Sequence, residues 1–316
     1  MSTTTVSLDR PARLRTYASF VRFEHTLFSL PLILAGVFSA PGRPMSPWRW
    51  ALVALAAVGA RTAAMALNRL IDRRLDALNP RTQSRELPSG RMRLSEAVIL
   101  LTTSGVVYLL ACAALGRWYL ELAAIPLAVF TVYPYLKRFT PLCHFGVGAA
   151  LALAPLAGFA AAHPDLADWA PALWLAAFAL FWVTGFDVIY ATLDEQFDRA
   201  HGVHSLVALL GRARALRVSA VLHVLAFACL AGAALSALRT TIRHEVLLGR
   251  ATGLEHGLGA GPAPILAGAL LVVAGTLLFL EQRWAEDVNL AFFKVNVWVG
   301  FVVLAIVLAA RLAGGF

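Results

Sequence analysis

Two clusters of polar residues stand out because each lies at the end of a long apolar stretch. The first cluster is Asn68, Asp72 and Asp76, spaced four residues apart. An α-helix has about 3.6 residues per turn, so steps of four drift by only about 40° and keep the three side chains on one face. The spacing predicts a helix with an oxygen-rich face at its end.

The second cluster repeats this spacing farther along the chain. Asp194 and Asp198 are again four residues apart. Asp187 and Tyr190 precede Asp194 by about two turns and one turn of a helix. A second helix end with paired carboxylates is therefore expected.

Carboxylates in these positions need a cationic partner. Like charges one helical turn apart repel, and an Asp at the centre of a membrane span costs roughly 2.5–3.5 kcal/mol. Mg²⁺ is usually held by one or two carboxylates together with substrate phosphates. We predict that Asp72, Asp76, Asp194 and Asp198 are catalytic and, with Asn68, bind Mg²⁺ and through it a diphosphate. The alternative is that both clusters are solvated helix ends.

Basic residues near the clusters are candidates for direct contact with diphosphate oxygens, because guanidinium and ammonium groups donate charge-assisted hydrogen bonds to phosphate. The candidates are Arg22, Arg69, Arg73, Arg85, Lys137 and Arg138. For each of them, the alternative is a charge that only orients the protein in the membrane.

The composition excludes most soluble classes of protein. Of 316 residues, 59% are hydrophobic and 14% are charged, against roughly 45–50% and 25% in an ordinary soluble domain. The net charge of +9 does not indicate a nucleic acid partner, because the basic residues are scattered between apolar runs. We expect one all-α integral membrane domain covering residues 1–316.

Apolar stretches bounded by charged residues, Pro or Gly predict nine membrane-spanning helices. They cover residues 20–40, 48–68, 95–115, 118–136, 144–162, 170–193, 214–237, 263–281 and 292–314. Most Lys and Arg residues then share the side of the N-terminus, which the positive-inside rule places in the cytoplasm. The second and sixth spans run parallel and carry both clusters to that face. Residues 239–262 are expected to form a long outer loop.

These motifs resemble those of the UbiA superfamily of intramembrane aromatic prenyltransferases. The resemblance rests on residues 68–76, 81–90, 133–138 and 194–198, in this order and over nearly the whole chain. It implies a nine-helix bundle with a central cavity, capped by cytoplasmic loops after the second and sixth helices.

The resemblance also implies an activity, the Mg²⁺-dependent transfer of an isoprenoid from its diphosphate to an aromatic ring. Residues 68–76 match the first metal motif of the family, and residues 194–198 match the second. Arg22 and Lys137 match positions that contact the diphosphate.

Three further side chains lie near the predicted site. Asp187, Tyr190 and Tyr133 are candidates for binding the aromatic acceptor or the allylic cation, since aromatic rings stabilise a nearby cation by about 0.5–2 kcal/mol. For the tyrosines, the alternative is anchoring at the membrane interface or packing in the bundle.

Residues 22–26 and 185–205 resemble the 4-hydroxybenzoate polyprenyltransferase-like branch of the superfamily, which includes menaquinone-pathway members of the futalosine route. The expected partners are a polyprenyl diphosphate, an aromatic acid and the lipid bilayer of a bacterial-type inner membrane. The acceptor stays open between 4-hydroxybenzoate, as in ubiquinone biosynthesis, and a dihydroxynaphthoate. Outside this class, the alternative is an ion-coupled secondary transporter, whose carboxylates would lie near the membrane midplane.

Overall fold

The computed structural model describes residues 10–22, 26–42, 45–248, 262–285 and 295–312, and in these residues every regular element is a helix. In chain order the elements are α1 (Arg10–Phe20), α2 (Thr26–Phe38), α3 (Pro47–Leu78), α4 (Leu94–Leu115), α5 (Arg117–Leu122), α6 (Ala124–Leu136), α7 (Cys143–Ala162), α8 (Ala170–Ala191), a 3₁₀ turn (Thr192–Asp194), α9 (Glu195–Ala200), α10 (Leu206–Leu210), α11 (Arg212–Leu247), α12 (Pro262–Arg283) and α13 (Asn296–Arg311).

Seven helical segments of the described chain are long and apolar enough to cross a membrane. They correspond to the second to eighth predicted spans. Two shorter apolar helices, Ser29–Phe38 and Asn296–Arg311, lie where the first and ninth spans were expected. The all-helical architecture is therefore confirmed, and the count of nine spans stays a prediction.

The predicted outer loop at 239–262 is wrong over its first part. Helix α11 continues to Leu247 instead of ending near residue 237, because the residues that follow include good helix formers and neither Pro nor Gly before Gly249. Residues 249–261 lie outside the described residues.

The chain divides into two compact units. The first unit comprises Met1–Thr26 and Trp48–Pro134, and the second comprises Leu27–Pro47 and Tyr135–Phe316. The first carboxylate cluster belongs to the first unit, and the second cluster to the second unit. The expectation that residues 1–316 form a single domain stays a prediction.

Close contact between α3 and α4 positions the first cluster. A Cβ atom at Gly59 would lie 2.9 Å from the carbonyl oxygen of Ser104 and from the backbone nitrogen of Tyr108. Small residues permit such close approach of membrane helices. Gly59 therefore lets α3 pack directly on α4, in the part of α3 that precedes the carboxylates.

Helix α8 is the central helix of the second unit. Leu175, Phe178, Trp182 and Val183 are all fully buried on it, packed against α11 and α13 among other neighbours. A helix that is apolar on all sides is expected to be buried on all sides. This packing fixes the end of α8, where the second cluster begins.

A hydrogen-bonded network joins α8 to α11 and α12 in this core. The Ser219 hydroxyl donates to the carbonyl oxygen of Gly185 at 2.8 Å. The side-chain amide of Gln282 lies 2.5 Å from Ser219 Oγ and 2.8 Å from His223 Nδ1. A Cβ at Gly185 would lie 2.6 Å from His223 Nε2, so this glycine makes room for the imidazole.

A fully buried carboxyl group, Glu281, lies next to this network. Glu281 Oε2 lies 3.7 Å from His223 Nε2. The side chains of Asn296 and Trp182 also lie beside Glu281, and the Trp182 indole donates to Asn296 Oδ1 at 3.2 Å. Four helices, α8, α11, α12 and α13, are thus tied together by polar side chains in an apolar interior.

Candidate active site

The first cluster lies on one face of the last turns of α3, as its spacing predicted. Asp72 and Asp76 are 3% and 7% exposed, and the Asn68 amide donates to Asp72 Oδ2 at 3.3 Å. Helix α3 runs without a break to Leu78. Three oxygen-bearing side chains therefore follow one another along this face.

Two of the predicted basic residues lie against Asp76. Arg85 Nη1 donates to Asp76 Oδ1 at 2.7 Å, and Arg69 Nη1 lies 3.9 Å from Asp76 Oδ2. Arg69 is itself buried, and its Nε has no hydrogen-bond partner among the described residues. Two guanidinium groups therefore lie beside this carboxylate.

Arg22, at the end of α1, lies close enough to Arg69 for their charges to interact. Its backbone has a φ of 48°, a left-handed conformation that non-glycine residues seldom adopt. The Arg61 guanidinium donates to the carbonyl oxygen of Arg22 at 3.0 Å. Arg61 was missed as a site residue, although an arginine inside an apolar span, two turns before Asn68, is a signal that could have identified it.

The segment that follows α3 is held by buried polar contacts. The Thr82 hydroxyl donates to the backbone oxygen of Asp76 at 3.0 Å. Glu86 is buried, accepts from the Ser19 hydroxyl at 2.7 Å and lies 3.6 Å from Arg91. These contacts place Arg85 beside Asp76.

The second cluster does not lie on one uninterrupted helix. Helix α8 ends at Ala191, the 3₁₀ turn follows, and Asp194 occupies the N-cap position of α9, a preferred position for Asp. Asp198 is buried in α9 and hydrogen-bonds the Ser205 hydroxyl. Asp194 and Asp198 thus keep their spacing of four residues, but the 3₁₀ turn that ends at Asp194 separates α9 from α8.

Lys137 lies near this second cluster, and its predicted contact with diphosphate stays a prediction. The charges of Lys137 and Asp194 both act on the carboxyl group of Asp198. The Lys137 carbonyl oxygen accepts the backbone N–H of His204 at 2.7 Å, so the two segments are linked by their main chains. The neighbouring predicted residue, Arg138, lies over the Tyr135 ring at 4.7 Å.

Asp187 has a partner that the sequence did not indicate. His144 Nδ1 lies 2.7 Å from Asp187 Oδ2. The backbone N–H of Leu206 points at His144 Nε2 at 3.4 Å, so both ring nitrogens of His144 face polar groups. His144 was missed, although a histidine in the first turn of an apolar helix is an unusual feature.

The two candidate tyrosines lie in different units. Tyr190, in the last turn of α8, packs against the main core of the second unit. Tyr133 lies in the first unit, close enough to Arg61 for an electrostatic interaction. Their roles toward acceptor or cation stay predictions.

The donor atoms fit a metal ion that is shared with a substrate. In the described parts of the chain, no three His, Cys, Asp or Glu residues gather to hold a metal ion. Each cluster instead offers one pair of carboxylates, Asp72 with Asp76 and Asp194 with Asp198. This set suits Mg²⁺, which keeps several waters and binds substrate phosphates as well as one or two carboxylates.

Comparison with known proteins identifies related sequences. The model of the UbiA prenyltransferase family matches residues 29–244. The 4-hydroxybenzoate octaprenyltransferase of Burkholderia vietnamiensis is 30% identical over 96% of this chain and 98% of its own length. The enzyme of the same name from Coxiella burnetii is 32% identical over 62% of this chain and 69% of its own length.

Solved structures share the fold. The apo structure of a UbiA homolog from Aeropyrum pernix K1 has a TM-score of 0.73 and 31% identity, covering 90% of this chain and 97% of that one. A UbiA homolog from Archaeoglobus fulgidus, bound to GPP and Mg²⁺, has a TM-score of 0.63 and 17% identity over 95% of this chain and all of that one. At this identity, the second likeness concerns the fold alone.

The matched region covers most of the chain, and the resemblance of its motifs is thereby confirmed. The apolar helices and the family together make the protein an integral membrane protein. The alternative of a secondary transporter is not retained. The chain belongs to the UbiA prenyltransferase family, and its activity is that of a prenyltransferase.

Proposed function

We propose that the protein transfers a polyprenyl group from its diphosphate to the ring of an aromatic acid, with Mg²⁺, in quinone biosynthesis. The observation that carries the proposal is the position of paired carboxylates at helix ends beside basic side chains, Asp76 with Arg69 and Arg85, and Asp198 with Lys137. The relatives' names favour 4-hydroxybenzoate as acceptor. A dihydroxynaphthoate is the other candidate acceptor.

In this proposal, Asn68 and the two carboxylate pairs hold Mg²⁺. Bound Mg²⁺ would neutralise the charge of the diphosphate and so make it a better leaving group. Arg22, Arg69, Arg85, Lys137 and Arg138 bind the diphosphate oxygens that Mg²⁺ leaves free. The two guanidinium groups beside Asp76 support this role.

The allylic C–O bond then breaks, and its electron pair leaves with the diphosphate. A ring carbon of the acceptor forms the new C–C bond with the allylic cation, and a proton leaves that carbon to restore aromaticity. Apolar surroundings protect the cation from water. Tyr133 and Tyr190 are assigned to stabilising the cation.

Asp187 is assigned to the acceptor. His144 occupies one of its carboxylate oxygens, which leaves the other for a phenolic hydroxyl of the acceptor. A hydrogen bond from that hydroxyl to a carboxylate raises the electron density of the ring. We also assign to Asp187 the uptake of the proton that the reaction releases.

The proposal extends to architecture and location. We infer a bundle of nine spanning helices with a central cavity, in a bacterial inner membrane, with the N-terminus and both carboxylate clusters on the cytoplasmic side. The distribution of Lys and Arg along the sequence supports this orientation.

Product analysis tests the proposal. Membranes containing the protein are incubated with Mg²⁺, a polyprenyl diphosphate and either 4-hydroxybenzoate or 1,4-dihydroxy-6-naphthoate, and products are identified by mass spectrometry. Prenylated product from one acceptor would support the proposal and identify that acceptor. No product from either, with a folded protein that binds the diphosphate, would contradict this acceptor class.

A further inference from the structure

A cavity with several polar side chains in its lining lies in the second unit, away from the second carboxylate cluster. It has a volume of about 360 Å³ and lies between the first turns of α8 and the last third of α11. Its chemistry-bearing side chains are Trp174, Ser236, Arg239, Thr240, Arg243 and Asp168. None of these residues has a role in the proposed reaction.

The cavity and the second carboxylate cluster lie at opposite ends of α8. Helices α8 and α11 are antiparallel, since Ser219 bonds to Gly185 near one end and Gly232 abuts Trp174 near the other. Twenty residues separate Ala170 from Tyr190, which corresponds to about 30 Å of helix. This length matches the hydrocarbon thickness of a bilayer. The cavity therefore lies at the depth of the headgroups of the other leaflet.

A tryptophan at this end of α8 agrees with a position at the depth of the headgroups. Trp174 is 45% exposed, and tryptophan is enriched at membrane–water interfaces. A Cβ at Gly232 would lie 2.8 Å from the Trp174 indole. The glycine thus lets the indole lie against α11 and form an apolar wall of the cavity.

The charge of the cavity favours an anion. Arg239 and Arg243 are one helical turn apart on α11, and Arg243 pairs with Asp168. In the described chain, the Arg239 side chain has no hydrogen bond or ion pair. One positive charge is thus left over, next to the hydroxyl groups of Ser236 and Thr240. Guanidinium and hydroxyl donors together match phosphate oxygens.

We propose that this cavity binds the phosphate of a membrane phospholipid in the leaflet opposite the second carboxylate cluster. Arg239 contacts the phosphate oxygens, and Trp174 lies beside the glycerol and the first acyl carbons. The proposal does not depend on the proposed reaction. Inorganic phosphate shares the recognised chemistry, so the test must distinguish the two sources.

The test is a titration of the delipidated full-length protein in detergent, followed by native mass spectrometry. The probes are dioctanoyl phosphatidylglycerol, dioctanoylglycerol without phosphate, and inorganic phosphate. The variants are Arg239→Gln and Arg239→Lys. The control is Arg117→Gln, which removes a 92% exposed arginine that pairs with Glu121, one turn away on α5.

We expect phosphatidylglycerol to bind more tightly than either other probe. Arg239→Gln should raise its Kd by about 10-fold or more, the loss expected for a charge-assisted hydrogen bond, and Arg117→Gln should leave it unchanged. The Kd of Arg239→Lys, which keeps the charge, should lie between the Kd of the wild type and that of Arg239→Gln. If Arg239→Gln does not fold, Arg239→Lys takes its place in the comparison. Equal binding of dioctanoylglycerol, equal binding of inorganic phosphate, or a Kd unaffected by either Arg239 variant would overturn the proposal.

Discussion

His144 Nδ1 lies 2.7 Å from Asp187 Oδ2, although the two residues are 43 positions apart in the chain. The contact joins the first turn of α7 to the last turns of α8. Because Leu206 directs its N–H at Nε2, the imidazole is held from both sides and fixes one rotamer of the carboxylate. His144 is therefore a positioning residue for Asp187.

This arrangement predicts a loss of turnover when His144 is replaced. His144→Ala should lower kcat by about 10- to 100-fold, comparable to the loss of other groups that orient a site from behind, with little change in the KM of the diphosphate. His144→Gln should restore most of the rate, because its amide can donate to Asp187 and accept from Leu206.

Steady-state kinetics with both substrates checks this prediction, with His244→Ala, at the far end of α11, as the control. If His144→Gln were as slow as His144→Ala, or if only the KM of the diphosphate rose, the positioning role would be contradicted.

Arg85 gives a second prediction. Its guanidinium is the nearest cation to Asp76, and in the proposed reaction it binds diphosphate oxygens. Arg85→Gln should raise the KM for the polyprenyl diphosphate by about 10- to 100-fold, since a hydrogen bond to a charged group contributes about 1.5–3 kcal/mol. Arg91→Gln, in the same segment but half exposed, is the matched control. Equal effects of the two variants would mean that Arg85 serves only to hold the segment.

Gly59 gives a prediction about stability. A Cβ there would lie 2.9 Å from backbone atoms of α4, whereas a Cβ at Gly105 would meet nothing within 4 Å. Gly59→Ala should destabilise the protein by about 1–3 kcal/mol through overpacking. Gly105→Ala should be neutral or stabilising by up to about 1 kcal/mol, because Ala favours helix. Thermal unfolding in detergent measures both, and an equal Tm for the two variants would argue against close packing of α3 on α4.

Glu281 gives a prediction about the buried network. Its carboxyl group is fully buried, and the described side chains beside it include no Lys or Arg. Glu281→Gln keeps the shape and removes the cost of burying a charge, so the Tm should be unchanged or higher. Glu281→Ala should lower the Tm, because it leaves a cavity and unpaired donors. A large drop in the Tm of Glu281→Gln would show that the negative charge itself is needed.

Local periodicity was enough to predict much of the fold and part of the site. The steps of four between Asn68, Asp72 and Asp76 depend only on helix geometry, and α3 places these residues on one face as expected. The apolar runs also located the membrane-spanning helices, because burial in lipid leaves a strong signal in composition, although α3 and α11 extend well beyond their predicted ends.

Contacts between distant residues could not be predicted in this way. The pairing of His144 with Asp187 depends on how helices pack, and so does the contact of Arg61 with the Arg22 carbonyl. Such packing leaves no periodic pattern in a single sequence. The break before Asp194 was missed because a 3₁₀ turn within a polar helix end changes neither composition nor spacing.

The most direct test of the account is the dependence of product formation on both carboxylate pairs. Prenylated acceptor is quantified by mass spectrometry for the wild type with Mg²⁺ or with EDTA, for Asp72→Ala, for Asp198→Ala, and for Glu121→Gln, a carboxylate on the exposed surface of α5. The account predicts that EDTA and both aspartate variants abolish product, while Glu121→Gln keeps the wild-type rate. Product at the wild-type rate from either aspartate variant, or in EDTA, would contradict it.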